Sequence, residues 1–527
     1  MRKMASNFDA ITIGSGLGGL TAAALYARAG HRVLVLERNA EIGGAATTYR
    51  HGPLTIEGSL HETAQLSTSG DPKARIVQAL GIGDELEFVP AGPLYEVRGR
   101  LFDPPFVLPT GADAALAALE DRFPQHRKAF RRFFQRVEAV RSAMGVVGEE
   151  HNSVWWFLHA PVLPLTLWPL LRDMRRSLSE VFADLFGDDE LPKMALAANL
   201  GYYGDDPDRL WWVYYAVGQG GYLSGGGAYI KGGSARLAHK LADVVCDEGG
   251  QVLTRRTVTE ILLDDQGRAA GIAHTGADGA DRRVDRAPVL FGNAAPSVLA
   301  EALPPERRSA FASQFAGRAL STSLFSAAVG LDRPAREFGL THYSTVLLPD
   351  WFERLTDYSG FADLLAGMPE TRMPGVVVVN YDAIDSGLNP ADVHLVSLTG
   401  MDRLANWKEL DESSYAAKRQ AWLQAVIGQV DRFFPGFASA VVHQEMATAA
   451  TMSHYLNTPD GAVYGFAQVP PHGIPTAGTP RGVETTVPGL WLTSTFGGFG
   501  GFSGAMLSGM LSARAALESQ LHSHAAR

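Results

Sequence analysis

The first fifty residues alternate between short apolar runs and glycine-rich turns. The apolar run 10–13 predicts a short buried strand, and the alanine-rich run 20–29 predicts a helix that ends at Gly30. A second strand is predicted over 32–36, and Glu37 follows it at once. This order of elements indicates an α/β fold that starts with a Rossmann-type βαβ unit.

The glycines between the first strand and the helix follow the pattern G-x-G-x-x-G over residues 14–19. In this pattern Gly14 makes the tight turn, Gly16 lets the backbone approach a pyrophosphate, and Gly19 allows close packing of helix on strand. Ser15 and the helix N-terminus are expected to contact the phosphates, and Glu37 is expected to accept ribose hydroxyls. The motif therefore predicts a dinucleotide site.

Two later segments also carry clear patterns. Residues 235–248 predict a helix that Gly249 and Gly250 end, and 251–263 predicts a pair of strands with Val258 and Ile261 at its centre. The remaining predicted elements are strands over 269–274, 287–291 and 490–493, a glycine-rich run over 497–504 and a helix over 505–517.

Composition excludes several classes of protein. Of the 527 residues, 46% are hydrophobic and 19% are charged, which excludes extended disorder. The net charge of −10 argues against a nucleic-acid partner. A single cysteine, Cys246, excludes an intrachain disulfide framework and a cysteine-rich metal site, and no other metal-ligand spacing is found. The polar start of the chain shows no targeting segment, so a cytoplasmic location is expected.

One apolar stretch is long enough to be a candidate membrane-spanning helix. Residues 154–171 form 18 positions without a formal charge, but Pro161, Pro164 and Pro169 would interrupt a spanning helix, so we reject that interpretation. Seven basic residues against one acidic residue lie between 122 and 141. Segment 122–176 is therefore interpreted either as a peripheral membrane-facing element or as a solvated helix above a buried apolar hairpin.

The residues after Glu37 indicate which dinucleotide binds. Arg38 follows the acid, and Gly43, Gly44 and Ala45 then supply a second glycine pair. This combination resembles the FAD-binding signature of the flavoprotein group that includes amine oxidases and phytoene desaturases. The resemblance implies FAD as cofactor, with the segment after the acid folded across the pyrophosphate.

Two further segments resemble the phytoene desaturase, retinol saturase and carotenoid isomerase family. They are residues 229–234, with Ile230 where the family usually has proline, and the glycine run 497–504. The resemblance implies that the backbone near Val258 holds the adenine and that the glycine run and following helix meet the flavin ring; the residues expected there are Gly501, Gly504, Ala505 and Met506.

The same resemblance implies a division into two domains. An FAD-binding domain is expected from residues 5–75, 225–299 and 480–520. A second, mixed α+β substrate domain is expected from residues 76–224 and 300–479, where aromatic side chains are frequent. Large apolar residues are usually core, but the family encloses long apolar substrates.

Few residues are candidates for the reacting groups. His61 follows the strand 54–57, which in related flavoproteins passes beside the flavin, and it titrates near neutral pH. Glu62 is expected to orient it, although adjacent strand residues point to opposite faces. Tyr464 and His454 are weaker candidates, and a lone histidine is more often structural.

The resemblance implies hydride and proton transfer at a carbon–carbon bond of a long apolar polyene or unsaturated lipid, with an external electron acceptor or donor. A redox-neutral double-bond isomerase remains an alternative, as do a flavin amine oxidase and a non-catalytic prenyl-lipid-binding protein. The intact Glu37 and Gly43–Gly44 disfavour the last, since a protein without cofactor has little use for them.

Overall fold

The computed structural model describes residues 8–59, 61–68, 70–148, 153–390, 392–471, 483–498 and 500–525. Its strands are β1 (Ala10–Ile13), β2 (Val33–Leu36), β3 (Thr48–His51), β4 (Leu54–Glu57), β5 (Thr63–Ala64), β6 (Phe88–Pro90), β7 (Tyr95–Gly99), β8 (Phe102–Leu108), β9 (Gly227–Ile230), β10 (Gln251–Leu253), β11 (Arg256–Leu263), β12 (Ala269–Gly276), β13 (Arg283–Asp285), β14 (Val289–Gly292), β15 (Ser323–Leu331), β16 (Ser344–Leu347), β17 (Val376–Asn380), β18 (His394–Asp402), β19 (Val441–Ala447) and β20 (Leu490–Leu492).

The helices are α1 (Leu17–Arg28), α2 (Pro72–Leu80), α3 (Ala112–Arg122), α4 (Arg127–Gly148), α5 (Ser153–His159), α6 (Leu163–Asp173), α7 (Leu178–Phe186), α8 (Glu190–Ala197), α9 (Trp212–Gly225), α10 (Ala235–Asp247), α11 (Pro296–Ala302), α12 (Pro305–Ser313), α13 (Glu412–Phe433), α14 (Ala449–Leu456) and α15 (Gly501–Ala525).

A five-stranded parallel sheet, in the order β10-β2-β1-β14-β20, forms the nucleotide-binding side of the molecule. Its strands come from all three segments that the sequence analysis groups into one cofactor domain. The exact domain boundaries stay a prediction. Because the strands are parallel, their carboxyl ends share one edge, where α/β proteins bind their ligands.

A seven-stranded mixed sheet, in the order β19-β15-β18-β17-β16-β7-β8, forms the second half. Successive side chains along its strands point alternately to two faces of the sheet. Ala327 and Val329 pack with Trp422 and Val426 of α13 in an apolar core, whereas Ser326 points into a large cavity. Together with the parallel sheet, this confirms the predicted fold class, a Rossmann-like domain with a mixed α+β partner.

Three predicted elements differ in detail from the structure. Helix α1 begins at Leu17 instead of residue 20, because Leu20 N–H already donates to Gly16 O at 3.0 Å. Helix α15 begins at Gly501 instead of residue 505, so part of the predicted glycine loop is helical. The predicted pair 251–263 is two strands in different sheets, separated by a turn in which Arg255 has φ +56°.

Helices α1 and α15 approach each other unusually closely. A Cβ on Gly18 would lie 1.8 Å from Thr493 O, and a Cβ on Gly509 would lie 2.2 Å from Gly18 O. Only glycine fits at both positions. The close contact brings the first turn of α15 beside the glycine loop of residues 14–19.

The helices α5 and α6 form a hairpin with an exposed apolar face. Its members are Phe157 (80% exposed), Leu165 (79%), Leu158, Val162, Trp168 and Leu171. This exposure contradicts the predicted alternative of a buried apolar hairpin. Among the described residues, no helix combines the length and hydropathy that crossing a membrane requires.

A buried ion cluster anchors this hairpin to α4. Asp173 at the end of α6 is fully buried, and both of its carboxylate oxygens accept hydrogen bonds from the guanidinium groups of Arg136 and Arg172, at 2.7–2.9 Å. The paired charges satisfy the buried carboxylate. The hairpin is therefore held rigidly on its inner side.

Candidate active site

One cavity of about 2730 Å³ connects the two halves of the molecule. It is lined by the glycine loop, the segment after Glu37, the first turn of α15 and the cavity face of β15 and β18. Small-molecule sites usually measure about 300–1,000 Å³. The cavity therefore has room for a dinucleotide and for a second, elongated molecule.

The glycine loop is shaped by an asparagine that the sequence analysis did not identify. Asn293 directly follows β14, and its Oδ1 accepts a hydrogen bond from Gly19 N–H at 2.8 Å. A Cβ on Gly16 would lie 2.5 Å from Asn293 Nδ2, and a Cβ on Gly19 would lie 2.8 Å from Asn293 Cβ. The signal in the sequence that could have identified Asn293 is its position as a polar residue directly after a predicted buried strand. Gly19 itself is not among the residues that line the cavity.

Glu37 is buried and bonds the same loop. Its Oε2 accepts hydrogen bonds from Ser15 N–H at 2.9 Å and Ser15 Oγ at 2.7 Å, and its Oε1 accepts one from Asn39 N–H at 2.8 Å. A carboxylate has about four lone-pair directions. Since Glu37 also lines the cavity, it can both hold the loop and accept a ribose hydroxyl.

The second glycine pair lies directly against the first. Gly43 N–H donates to Ser15 O at 3.0 Å, and a Cβ on Gly44 would lie 3.2 Å from Gly16 Cα. The φ angles of +109° at Gly43 and +60° at Gly44 also favour glycine. This cradle, together with the adjacent Ala45, lines the cavity.

Arg38 links the nucleotide-binding segment to the end of α14. Its guanidinium donates to the carbonyl oxygens of His454 and Tyr455, the latter at 3.1 Å, at the end of α14. Through these hydrogen bonds its Nη2 joins the nucleotide-binding segment to helix α14. Arg38 also borders the cavity. His454 is not among the lining residues.

Glu57 joins two of the three nucleotide-binding segments. Its carboxylate accepts hydrogen bonds from Ser234 N–H at 2.8 Å, from Ser234 Oγ and from Tyr229 OH at 3.0 Å. Ser234 precedes α10, so Glu57 binds the start of that helix. The sequence analysis missed this residue because its partners lie 172 and 177 positions away.

The first turn of α15 is fixed by a buried lysine. Lys73 Nζ donates to Asp71 Oδ2 and to Ser503 Oγ, both at 2.7 Å. Burial lowers the pKa of Lys73, while the neighbouring carboxylate opposes that shift. Of the residues predicted to meet the flavin ring, Gly501, Gly504 and Ala505 line the cavity, whereas Met506 is fully buried and does not. Val258, on β11, also lines it.

His61 lies between the wrapping segment and the seven-stranded sheet. Its Nε2 is 3.0 Å from Thr399 Oγ1, which in turn donates to Ser326 Oγ at 3.2 Å. Tyr343 OH donates to the His61 carbonyl oxygen. Burial lowers the pKa of His61 to about 4. The imidazole is therefore neutral at pH 7, and Thr399, instead of the predicted Glu62, orients its ring.

Glu62 also lines the cavity and is only 8% exposed. Neither carboxylate oxygen has a hydrogen-bond partner among the described residues. Burial raises the pKa of Glu62 to about 8, so its carboxyl is mostly protonated at pH 7. At pH 7 Glu62 thus has the opposite protonation state from a free glutamate, and both adjacent side chains are mostly uncharged.

Tyrosines surround this part of the cavity. Tyr464 OH donates to Gly201 O at 3.3 Å, and Tyr222 OH donates to Glu62 O at 3.3 Å. Burial raises the pKa of every phenol in the group, which comprises Tyr202, Tyr203, Tyr214, Tyr222, Tyr358 and Tyr464. All of them line the cavity. The surroundings of His61 and Glu62 are therefore aromatic and uncharged.

Comparison with known proteins agrees with this geometry. Residues 12–71 match the model of an NAD(P)-binding Rossmann-like domain. The chain is 24% identical to all-trans-retinol 13,14-reductase of Rattus norvegicus, over 99% of this chain and 87% of that protein. It is 23% identical to the chloroplastic prolycopene isomerase of Arabidopsis thaliana, over 97% and 84%. These similarities support the predicted resemblance to the phytoene desaturase, retinol saturase and carotenoid isomerase family.

Solved structures of low sequence identity share the fold. Cyclohexylamine oxidase from Brevibacterium oxydans superposes with a TM-score of 0.59 and 16% identity, covering 97% of this chain and 99% of that one. At this identity the likeness concerns the fold alone. The domain match and the retinol reductase relatives support an oxidoreductase with a dinucleotide-binding Rossmann domain.

Proposed function

We propose that the chain is an FAD-dependent oxidoreductase acting on carbon–carbon bonds of a long apolar polyene or unsaturated lipid, such as a carotenoid, retinoid or fatty acyl chain. The observation that carries this proposal is the continuous cavity, which runs from the glycine loop to an uncharged, tyrosine-lined space. No ionic clamp for a polar substrate is found among the described residues that line this space.

The residues at the sheet edge fit FAD. Gly16 and Gly44 leave little space for a Cβ where a pyrophosphate would approach, Gly14 has a φ of +94° that favours glycine, and Glu37 lines the cavity, where it could accept a ribose hydroxyl. When bound, FAD supplies two-electron hydride chemistry. The residues proposed to hold it are Gly14, Ser15, Gly16, Glu37, Gly43, Gly44, Ala45, Val258, Gly501, Gly504 and Ala505, with Arg38, Gly19 and Met506 supporting them from behind.

The residues of the chain bind and orient the substrate. The buried tyrosines exclude water and present ring faces to an apolar chain, and Tyr464 OH is anchored on a backbone carbonyl. His61 is held by Thr399 at the start of the substrate space. These uncharged groups favour an apolar substrate over an amine, which would need a negative partner.

An external electron acceptor or donor completes the reaction, and its identity sets the direction. A redox-neutral double-bond isomerase is the second candidate, because one relative is named prolycopene isomerase. The same cavity serves both reactions, so they are separated by whether the flavin changes its redox state.

The cofactor is tested by extracting it from purified protein and identifying it by mass. We expect FAD, and we expect Glu37→Leu to purify without it while the exposed Glu306→Gln retains it. Gly16→Val would not isolate the cofactor contact, because its Cβ would also meet Asn293. Wild-type protein that contains no flavin would contradict the proposal.

The reaction is tested by anaerobic mixing of oxidised and of dithionite-reduced enzyme with polyenes and unsaturated fatty acids. Bleaching of oxidised flavin identifies a desaturase, and reoxidation of reduced flavin identifies a saturase. Product without a net change in flavin absorbance identifies an isomerase. Bleaching by amines alone would overturn the apolar substrate class.

We also propose that the protein works in the cytoplasm in peripheral contact with an anionic membrane, through the apolar face of α5 and α6. Val147 and Trp156 border both the cavity and the exposed surface, so the cavity reaches the surface beside that face. The same segment, 122–176, carries the exposed basic residues Arg127, Lys128, Arg132 and Arg175, which suit an anionic surface.

Cosedimentation with anionic liposomes tests this contact. Binding should weaken with salt, since the Debye length falls to about 10 Å at 0.1 M. Phe157→Ser with Leu165→Ser should abolish binding, whereas Met368→Ser, an exposed apolar residue elsewhere, should not. Equal sedimentation of all three proteins would contradict the proposal.

A further inference from the structure

Glu62 differs from the other buried carboxylate of the same segment. Glu57 is 4% exposed and accepts hydrogen bonds from Ser234 and Tyr229. Glu62, at 8% exposed, accepts none at either oxygen from any described residue. A buried ionised carboxylate without donors is strongly unfavourable, so a protonated carboxyl is the state that this position favours.

Among the described residues, no cationic side chain shifts the pKa of Glu62. Its backbone carbonyl accepts from Tyr222 OH, and Gly227 on β9 leaves space for the carboxyl, since a Cβ there would lie 2.2 Å from Oε2. The adjacent imidazole belongs to His61. The other titratable groups that interact electrostatically with Glu62 are phenols with raised pKa values, on Tyr95, Tyr202, Tyr203, Tyr222 and Tyr343.

His61 is held in a neutral network instead. Its Nε2 is 3.0 Å from Thr399 Oγ1, whose hydroxyl donates to Ser326 Oγ, and Ser326 Oγ lies 3.3 Å from Ser397 Oγ. Burial lowers the pKa of His61 to about 4, so few molecules carry an imidazolium at pH 7. The ring is therefore mostly neutral, with Nε2 engaged by Thr399.

We propose that the carboxyl of Glu62 exchanges the proton with the substrate carbon, a role that the sequence predicts for His61. The proposal rests on the function proposed above. It stands on the position of Glu62 in the cavity wall, on its burial and on the lack of a partner for its oxygens within the described residues. A general acid acts from within hydrogen-bond reach of the atom that takes its proton, and Glu62 lines the cavity beside His61.

The chemistry balances as follows in the reducing direction. One carbon of the substrate double bond accepts a hydride from the reduced cofactor, and the other accepts the proton of Glu62. The π bond and the O–H bond break, two C–H bonds form, and the substrate gains the two electrons that the cofactor loses. Glu62 then recovers a proton from water, and an external two-electron reductant restores the cofactor. Oxidation reverses each step and needs an oxygen- or quinone-type acceptor.

Three variants of the full-length holoenzyme test the assignment. Glu62→Gln should keep its flavin but lower the single-turnover rate with a reactive polyene by about 10²–10⁴-fold, the usual contribution of a positioned acid. Glu62→Asp should recover part of that loss. Glu96→Gln, which alters a buried glutamate outside the cavity, should leave the rate unchanged.

A second readout does not depend on turnover. Difference infrared spectra should show the carbonyl band of a protonated carboxyl at neutral pH in wild-type protein and lose that band in Glu62→Gln. If Glu62→Gln does not fold, the wild-type rate of substrate reduction should fall with one ionisation near pH 8, and a flat profile would contradict the proposal.

The outcomes separate this proposal from the function on which it rests. Wild-type enzyme that reacts with no polyene or unsaturated lipid overturns both. Reaction of wild type and Glu62→Gln at equal rates overturns the role of Glu62 alone. Loss of the rate in His61→Gln with a normal rate in Glu62→Gln would return the proton to His61.

Discussion

The Nε2 atom of His61 lies 3.0 Å from the hydroxyl oxygen of Thr399, 338 positions later in the chain. This contact fixes the segment beside the nucleotide site against the central part of the seven-stranded sheet. Thr399→Val keeps the shape of the side chain but removes the hydroxyl. We expect a loss of about 1 kcal/mol of stability and a several-fold slower flavin reaction.

The matched control is Thr275→Val, on the peripheral strand β12. It should leave the unfolding midpoint in urea and the single-turnover rate unchanged. A flavin reaction of normal speed in Thr399→Val would mean that the ring of His61 is held by packing alone.

The paired pKa shifts of His61 and Glu62 predict an unusual dependence of stability on pH. Glu62 binds its proton more tightly in the folded state, with a pKa of about 8 against 4.5, so its contribution is lost as pH rises from about 4.5 to 8. His61 binds its proton less tightly, with a pKa of about 4 against 6.5, so its contribution is lost as pH falls from about 6.5 to 4.

Below about pH 6.5 the effects of Glu62 and His61 on the free energy of unfolding have opposite signs. Above that pH only the ionisation of Glu62 contributes a slope. Between about pH 6.5 and 8 the free energy of unfolding should therefore fall by about 1.4 kcal/mol per pH unit. In Glu62→Gln this slope should be absent. Urea unfolding of the flavin-free protein at several pH values measures it, and equal slopes in both proteins would rule out a buried neutral Glu62.

The close contact of α1 with α15 predicts a large effect of a single methyl group. Gly18→Ala would place its Cβ against Thr493 O, so we expect a loss of about 3 kcal/mol, at the upper end for overpacking. Gly428→Ala is the control, because its Cβ would meet nothing within 4 Å in α13. That change should be neutral or add up to about 1 kcal/mol. Chemical denaturation of both variants decides the matter.

Asp173 predicts how firmly the α5–α6 hairpin is attached. Asp173→Asn leaves Arg136 and Arg172 without their carboxylate and should cost about 3 kcal/mol. The hairpin should then become a site of limited proteolysis. Glu120→Gln, which removes an exposed ion pair with Arg131, should leave the proteolysis pattern unchanged. Equal protease resistance would show that apolar packing alone holds the hairpin.

Much of the nucleotide-binding half follows from local sequence. Strand β1 has the predicted bounds, and Gly14, Gly16, Gly43 and Gly44 meet where the motif predicts, because a tight turn and a close backbone approach need glycine at fixed spacing. Helix α15 begins four residues earlier than predicted, because packing against α1 overrides the low helix propensity of Gly501 and Gly504.

The contacts that set the chemistry could not be predicted in this way. Asn293 bonds Gly19 from 274 positions away, and Thr399 reaches His61 from a different sheet. The protonation states of His61 and Glu62 depend on burial, which arises only when both halves of the molecule close around the cavity. Residue type identified these two side chains, but the surrounding fold decides which of them carries the proton.

The glycine contact between α1 and α15 also constrains the order of events during synthesis. Gly509 leaves the ribosome about 490 residues after Gly18, and at about 5–20 residues per second this delay lasts roughly half a minute or more. Helices α2 and α10, which also contact α1, are made earlier, but the face of α1 that packs on α15 lacks its partner throughout that time. The helix that opens the nucleotide site is thus made early and fully covered only when α15 has been made.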